Sequence, residues 1–214
     1  LWTGTYVAPG QNTYPQDYFK PPLKIPMVLA GTFGELRASH FHSGVDFKTQ
    51  NKEGVPVYAS AEGSVSRIKV SLFGYGKALY ISHPNGYTTV YAHLKKFNKK
   101  IESYLKKKQY QQESYEIQLF PSKDHLTIEK DELIGYSGNT GSSSAPHLHF
   151  EIRNTKTEKI VNPMHFGLHP SDQKKPIIAG IRAMVLNDSS HVNSSGISIP
   201  IQFKEKEKGT DPQI

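Results

Sequence analysis

The chain contains no cysteine. This excludes a disulfide scaffold, a thiolate zinc finger, an iron–sulfur centre and a cysteine nucleophile, so any metal must sit on His, Asp or Glu. Long apolar runs are also missing. The longest candidate, Ile25–Gly31, falls well short of the ~20 residues a bilayer-spanning helix needs, and no transmembrane segment is expected in this chain. Acidic residues are scarce relative to basic ones, 19 Asp plus Glu against 26 Lys plus Arg in 214 residues, for a formal charge of +7. Such a balance favours an anionic partner, for which nucleic acid, a phospholipid surface and anionic envelope polymers all qualify. The excess is concentrated between Lys95 and Lys130, where nine Lys face five acids. That stretch lacks the interleaved aromatics and Gly/Arg pattern of a base-stacking surface, so it reads as a solvated helix face and no nucleic-acid partner is expected.

At this length one full domain fits, with room for a partial second. Residues 1–26 are rich in Pro, Tyr, Asn and Gln without sustained periodicity and read as an extended N-terminal arm. Short β-like runs follow, separated by Gly or Asn: Met27–Leu29, Val55–Ala59, Ser64–Val70, Ala78–Ser82, Tyr87–Ala92, Tyr115–Phe120, Glu132–Tyr136 and His147–Arg153. The expected fold is all-β, a mostly antiparallel sheet over 27–170 with a short helical insert at about 95–131. Asn98–Glu113 is the one helix expected, with Ile101, Tyr104 and Leu105 on one face. Asn85-Gly86 suggests a type I′ hairpin. Residues 171–214 begin with the linker-like Lys174-Lys-Pro176 and hold two further strand-like runs, Ile177–Leu186 and Ile197–Phe203, before a charged tail. They read as the start of a C-terminal β domain.

Ten His is a high count, and His serves both metal ligation and proton transfer near neutral pH. Neither the His-x-His pairs, His40/His42 and His147/His149, nor the His-x-x-x-Asp of His42/Asp46 exceeds chance by itself. Setting distinguishes them. His147-Leu-His-Phe-Glu-Ile-Arg153 alternates, so on a strand His147, His149, Glu151 and Arg153 share one face, opposite Leu148, Phe150 and Ile152. In an extended chain His42 and Asp46 likewise share a face opposite Val45 and Phe47. His42, Asp46 and one of His147 or His149 give two imidazoles and a carboxylate, the ligand count of a catalytic zinc site with its fourth position open. Glu151 is placed either to orient a ligand imidazole or to form an exposed ion pair with Arg153. His83, His125, His165, His169 and His191 read as turn and loop residues, and His40 as lining a groove.

In these stretches the sequence resembles the LytM-type (lysostaphin-like) zinc metallopeptidases, which cut peptides of bacterial peptidoglycan. The matching segments, in family order, are His42-Ser-Gly-Val-Asp46, Gly54–Ala59, Ala61–Val65, Gly74-Tyr-Gly76, Tyr91-Ala-His-Leu94, Ile134–Gly141, His147–Arg153 and Val161-Asn-Pro163. The resemblance implies one Zn2+ per chain on His42, Asp46 and His149, with His93 and His147 as the unliganded catalytic pair. It further implies an endopeptidase acting on wall stem peptides or cross-links, exported to the periplasm or cell envelope. The stretch between Leu94 and Ile134 is longer than in the family's minimal domain and resembles envelope-exported relatives, for which outer-membrane association is one expectation. The rival reading, from a different class, is a non-catalytic envelope protein that binds wall peptide or activates an amidase.

Overall fold

The computed structural model describes residues 14–37 and 40–170, and the backbone of 181–183 and 199–201. The first half of the arm, the 174–176 linker, most of the two C-terminal runs, the tail and His191 lie outside these residues.

In chain order the elements are β1 (Leu29–Gly31), β2 (Val45–Lys48), β3 (Pro56–Tyr58), β4 (Gly63–Val70), β5 (Lys77–Ser82), β6 (Tyr87–Ala92), β7 (Leu94–Phe97), α1 (Lys99–Gln112), β8 (Ile117–Leu119), β9 (Thr127–Ile128), β10 (Leu133–Ser137), β11 (His147–Asn154) and β12 (Ile160–Val161), then a 3-10 turn at Pro163–Phe166. Nine strands form one antiparallel sheet in the order β1-β2-β11-β6-β5-β4-β8, with β12 on β11 and β9 on β4. A second antiparallel sheet runs β3-β10-β7. In the separate C-terminal unit, β13 (Ile181–Ala183) pairs antiparallel with β14 (Ile199–Ile201).

The sheet follows from its alternation. Val45 and Phe47 of β2, Leu79 and Ile81 of β5, Tyr91 of β6 and Leu148, Phe150 and Ile152 of β11 are all almost fully buried in one cluster with Phe97, Ile101 and Phe166. Burying each such side chain is worth about 1.5–3 kcal/mol. The other face of the central strands carries only a small patch, Ala78, Tyr80, Val90 and Ala92 with Tyr75 against it, and this leaves room for polar groups. Helix α1 starts where Asn98 Oδ1 accepts from the Ile101 amide at 2.9 Å and stops at Glu113, which adopts a left-handed conformation. It docks through Ile101 and Leu105, while β8 extends the sheet edge at β4. Residues 14–26 pack on the same body: Phe19 and Leu23 are buried, Tyr14 stacks on His165 at 5.2 Å, and the Tyr58 amide donates to the Pro22 carbonyl at 2.9 Å.

Two local readings need correction. The hairpin turn is not type I′, because of its two central residues only Gly86 has positive φ (84°). Pro84 fixes φ near −65° one position earlier, which favours a turn over Pro84-Asn85 closed by the Gly86 amide on the His83 carbonyl at 3.1 Å, with Gly86 taking the left-handed position. The strands β7, β9 and β12 lie outside the expected β-like runs, whereas β2 falls in the His42–Phe47 stretch read as extended. In β7 the burial pattern is Leu94 and Phe97 in, Lys95 and Lys96 out, a departure from strict alternation, and β9 and β12 are two residues each, too short to show a period.

His83 is not a simple turn residue. It is 6% exposed, its Nδ1 donates to the Glu62 carbonyl at 2.7 Å, and its Nε2 lies 2.8 Å from the Thr89 hydroxyl. Burial pushes its pKa down to about 4. The unfolded chain takes up this proton near pH 6.5, the folded protein only near 4, so stability present above pH 6.5 is lost as pH falls through that window, by roughly 3 kcal/mol. Urea unfolding at pH 7.5 and 4.5 should show a smaller acid loss for His83→Gln than for the unaltered protein. Equal losses would mean that His83 titrates normally.

Candidate metal centre

The site is built on the pairing of β2 with β11. Asp46 sits directly across from His149, and two residues along, on the same face of the ladder, Lys48 pairs with His147. His42 enters from the loop before β2, and His93 follows the last residue of β6, whose Ala92 pairs with His149 on the other side. Three donor atoms converge: Asp46 Oδ1 is 3.1 Å from His42 Nε2 and 2.9 Å from His149 Nδ1, and those nitrogens are 3.0 Å apart. All three residues are buried. Ligand atoms of a tetrahedral zinc at ~2.0–2.1 Å stand roughly 3.3 Å from one another, so the spacing suits such an ion.

The outward nitrogens fix the tautomers. His42 Nδ1 donates to the Thr32 carbonyl at 2.7 Å and His149 Nε2 to the Glu151 carboxylate at 2.8 Å, leaving a lone pair on each inward nitrogen. His93 Nδ1 donates to the Thr140 carbonyl at 2.8 Å and His147 Nδ1 to the Ala145 carbonyl at 2.8 Å, so their Nε2 atoms are acceptors as well. The His93 and His147 rings are 4.7 Å apart, and His147 Nε2 is 3.5 Å from Asp46 Oδ1. Four imidazole lone pairs thus surround one carboxylate. Acceptors gathered in this way repel one another unless a cation lies among them.

The charges respond accordingly. Burial raises the Asp46 carboxyl, but whenever the inward nitrogens of His147, His149 and His42 carry a proton in place of an ion, their hydrogen bonds outweigh it and hold the group well below the usual carboxylate range. Burial works against charge on His149, yet its bonds to Asp46 and Glu151 push its pKa up to about 9, since two carboxylates flank one ring. A proton on that ring or a metal ion beside it meets the same demand for positive charge. His93 moves the other way, down to about 4, mainly through burial, and is neutral at pH 7. It also holds a left-handed backbone, φ 58°, fixed by its amide on the Tyr75 carbonyl at 2.9 Å.

Glu151 is fully buried, so its exposed ion-pair reading fails, and it does both jobs at once. It accepts from His149, from Ser43 Oγ at 2.5 Å, from the Tyr75 hydroxyl and from Arg153 Nε at 2.6 Å. Burial raises its carboxyl, but His149 and Arg153 outweigh that and hold its pKa at about 2. Tyr75 stacks on His149 with ring centroids 5.2 Å apart. Its loop packs backbone to backbone against the 140–141 loop, where a Cβ on Gly76 would lie 2.4 Å from Thr140, so only glycine permits the approach that delivers Thr140 to His93. Thr32, Arg37, Ser43, Tyr75 and Thr140 were not singled out from sequence, although Gly74-Tyr-Gly76 and Ile134–Gly141 had matched as segments.

These groups line a cleft of about 320 Å³ with His40, Gly74 and Ser142–Ser144 at its rim. Among the described residues none from 14–26 or 95–131 lines it, so neither the described part of the arm nor the insert covers the site. The other histidines stay apart. His165 lies within the 3-10 turn Pro163–Phe166 and His169 beyond its Gly167 cap, so the two are not on one helix and do not form an i,i+4 pair.

An antiparallel sheet carrying Asp46 and His149 on one rung, completed to a buried His-Asp-His triad by His42 from the preceding loop and with two further imidazoles beside it, defines a metallopeptidase-type site. The chain belongs to peptidase family M23, whose model matches residues 40–111 and 115–163. The DD-carboxypeptidase/endopeptidase Mpg of Neisseria meningitidis serogroup B is 35% identical over 133 residues, 62% of this chain and 24% of that protein. Lysostaphin of Staphylococcus simulans is 30% identical over 128 residues, 58% of this chain and 21% of that protein. The chain therefore spans about a quarter of the length of the curated relatives it matches. A solved mutant of the catalytic domain of the prophage-encoded M23 protein EnpA from Enterococcus faecalis shares the fold, with a TM-score of 0.51 and 22% identity over 70% of this chain and 98% of that one.

Proposed function

We propose that this chain is the catalytic part of a zinc-dependent endopeptidase that hydrolyses peptide bonds of bacterial peptidoglycan, in the stem peptide or the cross-link, within the cell envelope. The observation that carries this reading is the ring of four imidazole lone pairs about Asp46, each set by an oxygen acceptor behind it. Membership of family M23, and relatives named endopeptidase and lysostaphin, support the substrate class. The catalytic domain is assigned to 27–170, with 1–26 as an arm, 95–131 as an insert and 171–214 as the start of a further β domain.

His42, Asp46 and His149 would hold the ion. Zinc held there would supply a Lewis acid for the scissile carbonyl and make water acidic enough to attack near neutral pH. His147 presents its Nε2 lone pair to that water, takes its proton and, now a donor, passes it to the leaving amine. His93, neutral and also presenting Nε2, accepts a second hydrogen bond from the water and fixes its direction of attack. In this form His93 has no proton to offer a developing oxyanion. Glu151 keeps His149 in the tautomer that leaves Nδ1 free, and Tyr75 closes the side of the cleft over that ring.

The test is cleavage of a soluble cross-linked muropeptide by protein loaded with one equivalent of zinc, read as new amino termini by mass spectrometry. Turnover should stop with a chelator and return with zinc. Stoichiometric zinc without turnover would instead favour a wall-binding or amidase-activating protein.

A further inference from the structure

Beyond His147 the cleft opens into a second cavity of about 350 Å³, which shares Arg37, Asp46 and His147 with it and adds Lys48, Gln50 and Asn51. The β2–β11 ladder explains the arrangement. One rung, Asp46 with His149, carries two of the three donor atoms; the next, Phe47 with Leu148, faces the core, and the one after pairs Lys48 with His147 on the face of the site. Directly opposed residues of an antiparallel pair share a face, with Cβ atoms ~4.5–5.5 Å apart. Lys48 therefore projects beside His147, one step along from the reacting centre. It is exposed, and among the described residues its side chain makes no hydrogen bond or ion pair, while its amide donates to the Val28 carbonyl at 2.8 Å.

Arg37 provides the second cation. Its Nη2 donates to Asp46 Oδ2 at 2.9 Å, while its Nε has no hydrogen-bond partner, the nearest acid being Glu35 at 3.7 Å. Gly31 lies across from Asp46, and a Cβ there would stand 2.5 Å from both Arg37 Nη2 and Asp46 Oδ2, so the missing side chain leaves the guanidinium its place. An ion held by Asp46 takes up that carboxylate's charge. Arg37 and Lys48 are then left facing the cavity, with only the exposed Glu35 near Arg37, since Glu53 is committed to Lys95 at 3.3 Å.

We propose that Lys48 and Arg37 form a carboxylate-binding subsite, which selects peptides carrying a free carboxylate close to the bond that is cut. This rests on the endopeptidase reading above and adds to it a specificity determinant. Two sources share the chemistry, the α-carboxylate at a peptide's C-terminus and a side-chain carboxylate of a neighbouring residue.

Three probes separate them: a cross-linked stem-peptide dimer with all carboxylates free, the same dimer amidated at its C-terminus, and the same dimer amidated on its side chains. The zinc-loaded protein should prefer the free acid by about tenfold in kcat/KM, expressed in KM, over whichever amide removes the recognised group. Lys48→Gln should reduce that preference to about twofold and Lys48→Glu should abolish or invert it. Equal kcat/KM for all three probes, or an undiminished preference in Lys48→Glu, overturns the subsite. Calorimetric binding of the same probes to zinc-loaded His93→Asn reads the subsite without turnover. A Lys48-dependent preference there, with no cleavage by the unaltered protein, supports the subsite and defeats the endopeptidase reading. Cleavage without any preference does the reverse.

Discussion

Asp46→Ala should weaken zinc binding by about a thousandfold or more, read by competition against a chromophoric chelator. Loss of an outer hydrogen-bond partner already costs metal sites ~10–100-fold, and Asp46 is the one charged donor in the triad. Its Oδ1 is the atom on which His42 and His149 converge, at 3.1 and 2.9 Å, so truncation removes both the proposed carboxylate ligand and the geometric reference for the other two. The same change strips Arg37 of its 2.9 Å partner, which makes circular dichroism and an unfolding midpoint necessary controls. Asp46→Asn retains shape without charge and should fall between the two in affinity. If the Asp46→Ala, His149→Ala double mutant still retains one zinc per chain, the ion sits elsewhere and the triad is a polar cluster.

How much of this site can be read from sequence depends on the kind of contact. Alternation along His147–Arg153 is enough to identify the polar face and its apolar backing, because side-chain parity on a strand is fixed by geometry, and Leu148, Phe150 and Ile152 are indeed fully buried. The same parity cannot separate His147 from His149, which share that face. Only the register that sets Asp46 across from His149 does so, and register is a property of two strands separated by about a hundred residues. The tautomers are less legible still. The acceptors behind His42, His93 and His147 are main-chain carbonyls of Thr32, Thr140 and Ala145, and a carbonyl has no side-chain identity for a sequence pattern to record. The exposed ion-pair reading of Glu151 failed for a related reason, while its reading as the residue that orients a neighbouring imidazole holds. Alternation marks a polar face without saying whether that face is covered, and here Ser43, Tyr75 and Arg153 cover it. The insert, by contrast, showed its helix plainly in sequence, since Asn98 and the spacing of Ile101 and Leu105 are local signals.

His147→Ala and His93→Asn should retain zinc and lose turnover, by ~10²–10⁴ in kcat for His147 and by the lower part of that range for His93. The asymmetry comes from protonation. His93 is held neutral at pH 7, with a pKa near 4 set mainly by burial, so it is a weak base and directs the water more than it takes the proton. In the proposed assignment His147 carries the transfer, and its Nε2, 3.5 Å from Asp46 Oδ1, lies beside the tighter 2.9–3.1 Å triad without joining it. Asn is the informative replacement at position 93, since the backbone there sits at φ 58° and Asn tolerates that region with least strain, so a lost rate reports the lost imidazole and not a refolded loop. Metal content decides between ligation and proton transfer. Should His147→Ala shed zinc while His149→Ala holds it, the two roles on β11 are exchanged, and the water would then be activated from the Glu151 side of the strand.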